Sequence, residues 1–267
     1  MNKIYSPILL ILCILILYLL LISYSVLELK IMRHSLKRNQ LKEYFTSLSI
    51  NIEKKNKNEF KTIKKGANSP KTILDIDSSS QRILLIGDSM LEGLGPRLND
   101  YCEENNHKLA QILWYSSNTM WYGNSDTISY FIKKFNPTYI ILVIGSGDVI
   151  ADNVLAQRKP YVDKILNQIK GYKYIWVGPP NWRKDSGINE LIENSVEDGT
   201  FFLSKDLAFE RVNDGVHPTR ASAANWMDVI ASFIMKKSKY PIMLKTPQKK
   251  AKKIPTLYLL SPKPPVI

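Results

Sequence analysis

Two separated stretches of the sequence carry side chains that could act together on a carbonyl group. In "RILLIGDSMLEG", Ser89 follows the apolar run of residues 83–86, where a strand gives way to a helix. Far downstream, "NDGVHPT" places Asp214 three residues before His217. At this spacing the carboxylate can hold one imidazole nitrogen while the other nitrogen takes the Ser89 proton. The pattern predicts Ser89 as nucleophile, His217 as general base and Asp214 as its orienting partner.

Each of these residues also has a structural interpretation. Asp88 or Ser89 could cap the helix that follows, because short polar side chains are favoured at helix N-termini. His217 could be a helix-entry residue that is bonded to Asp214 for structural reasons alone. Ser89 by itself would carry little weight, but the downstream Asp-x-x-His pair favours the catalytic interpretation.

The elements that must position these groups follow from the apolar pattern. Continuous apolar runs predict strands at 83–86, 109–115, 139–144 and 172–177, and helical spacing predicts helices at 90–101, 128–135, 161–169 and 227–234. Buried strands alternating with helices are typical of an α/β fold with a parallel sheet covered on both faces. In such sheets the ligand site lies beyond the carboxyl ends of the strands. Ser89, Gly145 and the "GPP" at 178–180 should therefore converge on one edge.

These motifs resemble those of the SGNH (GDSL-type) hydrolase family. "GDSM" at 87–90, a strand ending in "IGSGD" at 144–148 and "DGVHPT" at 214–219 follow the family's order within residues 80–236. The resemblance implies a flavodoxin-like, three-layer α/β/α sandwich. It implies an esterase, deacetylase, thioesterase, lipase or O-acyltransferase, with the roles given above for Ser89, Asp214 and His217.

The sequence departs from the family pattern at the oxyanion hole. The family usually supplies the nucleophile's own N–H, a Gly N–H after the second strand and an Asn side chain in a GxND block. Here "GSGD" places Gly147 where that Asn stands, although Ser89 N–H and the backbone around Gly147 could still donate. The second donor could be Gly123 or the turn at 117–118. The Asn118 amide could replace the missing donor, or Asn118 could be an ordinary turn residue.

Aromatic residues cluster on the predicted rim of the site. Trp121 follows the second strand and Trp182 follows "GPP", so both are candidates for stacking against a sugar ring. Trp114 is assigned to the core. Arg183 and Lys184, beside Trp182, are either solvated charges or an attraction for an anionic ligand.

Four segments are predicted along the chain. Residues 4–27 carry no charge, and because about 20 apolar residues span a bilayer, residues 1–28 are predicted as an uncleaved single-pass anchor rather than a signal peptide. Residues 29–72 are predicted as a basic juxtamembrane helix and linker. Residues 73–240 form the SGNH-like domain, and residues 241–267 form a basic, Pro-containing, disordered tail.

The net charge of +13 lies in the flanks of the chain. Residues 28–72 carry 12 basic and 4 acidic residues, and the tail from Lys236 onward carries 9 basic residues and no acidic ones. Residues 75–233, by contrast, carry 15 basic and 20 acidic residues. The predicted domain has no basic patch interleaved with aromatics, so nucleic acid is not an expected partner. The flanks are solvated, or they attract anionic lipid or polymer. With no CxxC motif or Cys/His cluster, no metal and no cofactor is expected.

These observations predict a membrane-anchored serine hydrolase that forms an acyl-enzyme on Ser89. The expected substrate is an O-acetyl or similar short acyl ester on an envelope glycan. The alternatives are an O-acyltransferase with the same triad, or a non-catalytic binding protein, the latter because of Gly147. A glycan substrate requires an extracytoplasmic domain, which we expect, although the basic residues after the apolar stretch favour the cytoplasm by the positive-inside rule.

Overall fold

The computed structural model describes residues 75–265. The predicted anchor at 1–28 and the predicted linker at 29–72 lie outside the described residues. All of the described residues belong to one structural unit. Within this unit, no helix is both long enough and apolar enough to cross a membrane.

Six parallel strands form a single sheet. They are β1 (Arg82–Gly87), β2 (Lys108–Trp114), β3 (Tyr139–Val143), β4 (Tyr174–Val177), β5 (Phe201–Phe202) and β6 (Thr256–Leu260). Their order across the sheet is β5-β4-β3-β1-β2-β6. In the central strand β1, Ile83 and Leu85 face one core while Leu84 and Ile86 face the other, and all four are buried. Burial on both faces explains why this strand is a continuous apolar run.

Helices cover both faces of the sheet. The helices are α1 (Leu91–Glu104), α2 (Thr119–Gly123), α3 (Thr127–Phe135), α4 (Val154–Gln168), α5 (Ile188–Glu193) and α6 (Arg220–Lys236). α1 and α6 pack on one face, and α2 to α5 pack on the other. The prediction of a three-layer α/β/α sandwich with a parallel sheet is confirmed.

The C-terminal residues contradict the prediction of a disordered tail at 241–267. β6 pairs in parallel register with β2, which places Leu260 opposite Trp114. The Tyr258 ring lies 5.4 Å from the Phe131 ring, between centroids. The prediction was wrong because a short apolar run among Lys and Pro residues does not reveal that β2 offers it an open edge.

The remaining differences concern short or interrupted elements. α4 begins at Val154, before its predicted start at residue 161, and Pro160 lies inside it. α2, α5 and β5 were not predicted, because elements of two to six residues show no recognisable periodicity.

His107 joins the amino ends of β1 and β2 to the C-terminal part of the chain. Its Nδ1 accepts a hydrogen bond from the Gln81 N–H at 3.1 Å, and its Nε2 lies 2.7 Å from the Met243 carbonyl oxygen, to which it donates. This arrangement requires a neutral ring, since a proton on Nδ1 would face the Gln81 donor. Burial accordingly lowers the pKa of His107 below its usual value.

We expect the contribution of His107 to the stability of the domain to fall as the pH drops below about 6.5, because the unfolded chain then takes up a proton that the buried imidazole of the folded protein does not bind. In His107→Gln this contribution is absent. The difference in free energy of unfolding between wild type and variant should therefore shrink by up to about 1.4 kcal/mol per pH unit on acidification. Urea unfolding over a series of pH values measures this, and parallel profiles for the two proteins would contradict it.

Candidate active site

The structure brings Ser89, His217 and Asp214 into one hydrogen-bonded chain at the carboxyl edge of the sheet. Ser89 lies in the turn between β1 and α1, and the other two residues lie in the loop before α6. Ser89 Oγ is 2.8 Å from His217 Nε2, and His217 Nδ1 is 2.7 Å from Asp214 Oδ2. In this arrangement the imidazole can take the proton of the hydroxyl.

Asp214 fixes the orientation and the tautomer of the imidazole. Its Oδ1 accepts hydrogen bonds from the N–H groups of Val216 and His217, at 2.8 and 2.9 Å, while its Oδ2 faces Nδ1. Because an ionised carboxylate only accepts, Nδ1 carries the hydrogen and Nε2 is left to accept from Ser89 Oγ. The His217 side chain and the two backbone donors lower the pKa of Asp214 to about 2. The carboxyl group is therefore ionised at neutral pH.

Arg211 ties the loop that carries the imidazole to the loop after β4. It forms an isolated antiparallel bridge with Pro218, which closes the loop into a hairpin. Its guanidinium donates to the carbonyl of Val216 and, at 3.1 and 2.9 Å, to the carbonyls of Pro180 and Asn181. Arg211 was not predicted as a site residue, because nothing in the sequence indicates that one guanidinium donates to carbonyls on two distant loops.

Asp88 is a buried carboxylate that joins the turn after β1 to the turn after β3. Its Oδ1 accepts from the Met90 N–H at 3.0 Å, and its Oδ2 accepts from the N–H groups of Gly145 and Ser146 at 3.1 and 2.9 Å. Burial raises the pKa of Asp88 to about 6, although these backbone donors act in the opposite direction. Ser89 follows Asp88 directly, so this carboxylate fixes Ser89 relative to β3.

Two backbone N–H groups at this edge, those of Ser89 and Gly147, have no acceptor among the described residues. Gly147 lies in the 3₁₀ turn Ser146–Asp148 that follows β3. A Cβ at this position would lie 2.8 Å from the Ser117 carbonyl oxygen and 3.2 Å from Asn118 Cβ. The neighbouring loop therefore leaves no room for the Asn that the family pattern places here.

Asn118 occupies the space beside Gly147, at the N-terminus of α2. Its Oδ1 accepts a hydrogen bond from the Trp121 N–H at 3.1 Å, which is a typical N-cap. This bond identifies the oxygen of the amide, and Nδ2 has no partner in the part of the chain that the structure describes. The Tyr122 hydroxyl donates to the Gly87 carbonyl at 3.0 Å and holds α2 against the end of β1. An amide donor without a partner among the described residues therefore lies on the side chain next to Gly147.

Asp148 anchors the start of α2 to the turn after β3. Its buried carboxylate accepts from the Thr119 N–H at 2.8 Å and pairs with Arg158 Nε, on α4, at 2.6 Å. Burial raises the pKa of Asp148, whereas Thr119 and Arg158 act to lower it. These contacts keep the Asn118 and Gly147 segments adjacent.

Gly123 does not join the other candidate oxyanion donors. It lies inside α2, where an added Cβ would approach Tyr161 Cβ to 2.7 Å. The absence of a side chain allows α2 and α4 to pack closely. The structure thus assigns Gly123 to helix packing, which corrects the prediction for this residue.

The two candidate aromatic residues are both half-buried. The Trp121 ring packs against the Trp114 ring, with 5.5 Å between centroids. The Arg183 guanidinium lies 4.5 Å from the centroid of the Trp182 ring. Trp182 packs against both cores and is partly exposed.

Residues 75–265 contain no group of three or more His, Cys, Asp or Glu side chains placed to hold a metal ion. The charged side chains next to the triad, Asp88 and Arg211, are already hydrogen-bonded to the backbone.

The chain is similar in fold to several solved structures. A psychrotrophic esterase from Pseudoalteromonas sp. is 16% identical, with a TM-score of 0.44, over 58% of this chain and 97% of that one. A family 3 carbohydrate esterase from Clostridium thermocellum is 16% identical, with a TM-score of 0.41, over 58% of this chain and 98% of that one. The periplasmic domain of a lipopolysaccharide acetyltransferase from Salmonella ser. Paratyphi A is 15% identical, with a TM-score of 0.43, over 60% of this chain and 86% of that one. At these values the likeness concerns the course of the backbone and carries no conclusion about chemistry.

No protein-family model matches the sequence. No curated protein matches it either.

We expect Asp88→Ala to destabilise the domain, because it removes the acceptor of three backbone N–H groups, those of Met90, Gly145 and Ser146. Leaving a buried donor unsatisfied costs about 1–3 kcal/mol. Urea unfolding at neutral pH measures the loss, and Asp206→Ala on the exposed surface is the matched control. Equal stability of the Asp88 variant and wild type would refute the role given to this carboxylate.

Proposed function

We propose that this chain is a serine hydrolase of the SGNH type, which cleaves carboxylic esters through an acyl-enzyme on Ser89. One observation carries the proposal, namely the continuous chain of hydrogen bonds from Ser89 through His217 to Asp214. A helix-entry histidine bonded to Asp214 for structural reasons would need no second partner on another loop. The position beyond the carboxyl ends of parallel strands also supports a ligand site.

In the acylation step, Ser89 Oγ attacks the ester carbonyl carbon and its proton moves to His217 Nε2. The new C–O bond forms as the carbonyl electron pair moves onto the oxygen. Asp214 stabilises the imidazolium through Nδ1. When the tetrahedral intermediate collapses, the bond to the leaving alcohol breaks and that oxygen takes the proton from Nε2.

The oxyanion formed in this step is assigned to three donors: the N–H groups of Ser89 and Gly147 and the Nδ2 group of Asn118. In this proposal Asn118 replaces the amide that the family places at position 147. Removal of one such donor lowers the rate by about 10²–10³, so the chain needs a substitute if it is to remain an efficient enzyme.

Deacylation uses the same groups in reverse. His217 takes a proton from water, whose oxygen attacks the acyl carbon, and Ser89 leaves with that proton. If the hydroxyl of an acceptor takes the place of water, the same machinery performs O-acyl transfer. Hydrolysis is our first assignment, and the identity of the product distinguishes the two reactions.

For the substrate we propose an O-acetyl or similar short acyl ester on an envelope glycan. Partly exposed Trp182, with Arg183 stacked on its ring, supports a sugar-binding rim, because aromatic faces pack well against sugar rings. Trp121 offers a second such surface. An envelope glycan lies outside the cytoplasm. The proposal therefore includes an extracytoplasmic domain that residues 1–28 anchor to the membrane.

We expect a fluorophosphonate probe to label the full-length protein on Ser89, and a panel of short acyl esters to be hydrolysed. Both activities should fall by at least about 10³ in Ser89→Ala, since no other group can form the acyl-enzyme. Ser78→Ala, at an exposed position before β1, is the control and should behave as wild type. Wild-type protein that neither labels nor turns over would favour the non-catalytic alternative.

The assignment of Asn118 predicts a graded loss of activity. Both Asn118→Ser and Asn118→Asp keep an oxygen to cap α2, but neither keeps the amide donor, and the carboxylate adds a charge that repels the oxyanion. We expect kcat to fall by about 10²–10³ in Asn118→Ser and further in Asn118→Asp, with KM and melting temperature little changed. Asn124→Ser, at the other end of the same helix, is the control. An Asn118→Asp variant as active as wild type would remove Asn118 from the mechanism.

A further inference from the structure

The C-terminal edge segment, residues 249–260, is held on the domain by its backbone. Asp100 on α1 accepts from the N–H of Ala251 at 2.8 Å. Glu103 accepts from the N–H of Lys252 at 2.8 Å and from that of the next residue at 3.1 Å. The segment then enters the sheet as β6, beside β2. Because the backbone of residues 251–253 makes the contacts with α1, the lysine side chains there are free to face outward.

The charge that the segment displays is entirely positive. Its lysines are all exposed, and within residues 75–265 none of them pairs with a carboxylate: Lys249, Lys250, Lys252 and Lys253. Asp100 and Glu103 bind backbone N–H groups of the segment, and Asp100 also pairs with Arg97. The chain from Lys236 onward carries nine lysines and no acidic residue. Such a surface attracts a polyanionic partner.

The same segment also displays large apolar side chains. Ile254 is 94% exposed, Leu257 49% and Leu259 63%. In β6, Tyr258 and Leu260 pack against the core, and so the two exposed leucines share the opposite face of the strand. Exposed leucines on an edge strand are normally a hazard, because they favour association with another chain.

The combination of lysines and apolar side chains selects among possible partners. A second copy pairing edge to edge would bring two sets of lysines together, which is unfavourable. A soluble polyanion would use the lysines but would leave the leucines exposed. The surface of an anionic bilayer accommodates both, since lysines meet the headgroups while Ile and Leu side chains enter the interface.

We infer that the C-terminal edge segment binds the surface of a bilayer containing anionic lipid. The uncharged residues 4–27, which are predicted to enter a membrane, are consistent with this environment. The inference does not depend on catalysis, so Ser89→Ala protein should bind lipid as wild type does.

Amine acetylation followed by mass spectrometry tests the inference on the full-length protein in lipid nanodiscs. We expect the four lysines of the segment to react at least about threefold more slowly in discs of equal phosphatidylcholine and phosphatidylglycerol than in discs of phosphatidylcholine alone. High salt should reduce this protection. Lys159 on α4 is the internal reference and should react equally in both discs. Equal reaction of the segment in both discs would overturn the inference.

A pair of matched variants separates lipid contact from charge alone. The double variant Leu257→Ser and Leu259→Ser should lose at least about half of the protection while melting at the wild-type temperature. Leu155→Ser removes a leucine that is 53% exposed on α4 and should leave the protection intact. Retention of full protection in the double variant would overturn the inference. Protection that depends on protein concentration rather than on lipid charge would also overturn the inference, and would identify a second copy of the chain as the partner.

Discussion

The buried carboxylate of Asp88 is the interaction on which the candidate site depends. It receives hydrogen bonds from the turn after β1 and from the turn after β3, and thereby fixes Ser89 relative to the turn that contains Gly147. A buried charge is unfavourable unless it is compensated, and a pKa of about 6 means that three backbone donors do not fully offset the burial of Asp88. The strand order makes this bridge possible, because β1 and β3 are neighbours and their carboxyl ends lie side by side.

In the proposed oxyanion hole, one loop supplies a donor that the family pattern takes from another. A developing negative charge requires donors at given positions in space, regardless of which segment supplies them. The Ser117 carbonyl excludes a side chain at Gly147, and the amide of Asn118 lies next to that position. Asp148 and Arg158 then hold the two segments together. The apparent loss of a functional residue in the sequence is thus compatible with a complete set of donors in the structure.

The C-terminal residues complete the sheet at an edge that would otherwise be open. β6 covers β2 and buries Tyr258 and Leu260, so the domain extends beyond its predicted end at residue 240. The strand also carries leucines outward, and exposed lysines precede it in the same segment, a combination from which we infer contact with a lipid surface. One segment therefore contributes both to the fold and to a surface with its own chemistry.

The sequence by itself determined the parallel α/β sandwich, since the central strands are apolar on both faces. It also identified Ser89, Asp214 and His217 as candidate site residues, because local spacing and motif order carry that information. Only the tertiary structure decided the positions of β6, Arg211, Asn118 and Gly123. Each depends on contacts between segments far apart in the chain: an open strand edge, carbonyls on two loops, a clash that excludes a side chain, or the close packing of two helices. Periodicity and motifs show which face of a segment must be buried and which side chains could react. Which other segment it packs against is determined by the folding of the whole chain.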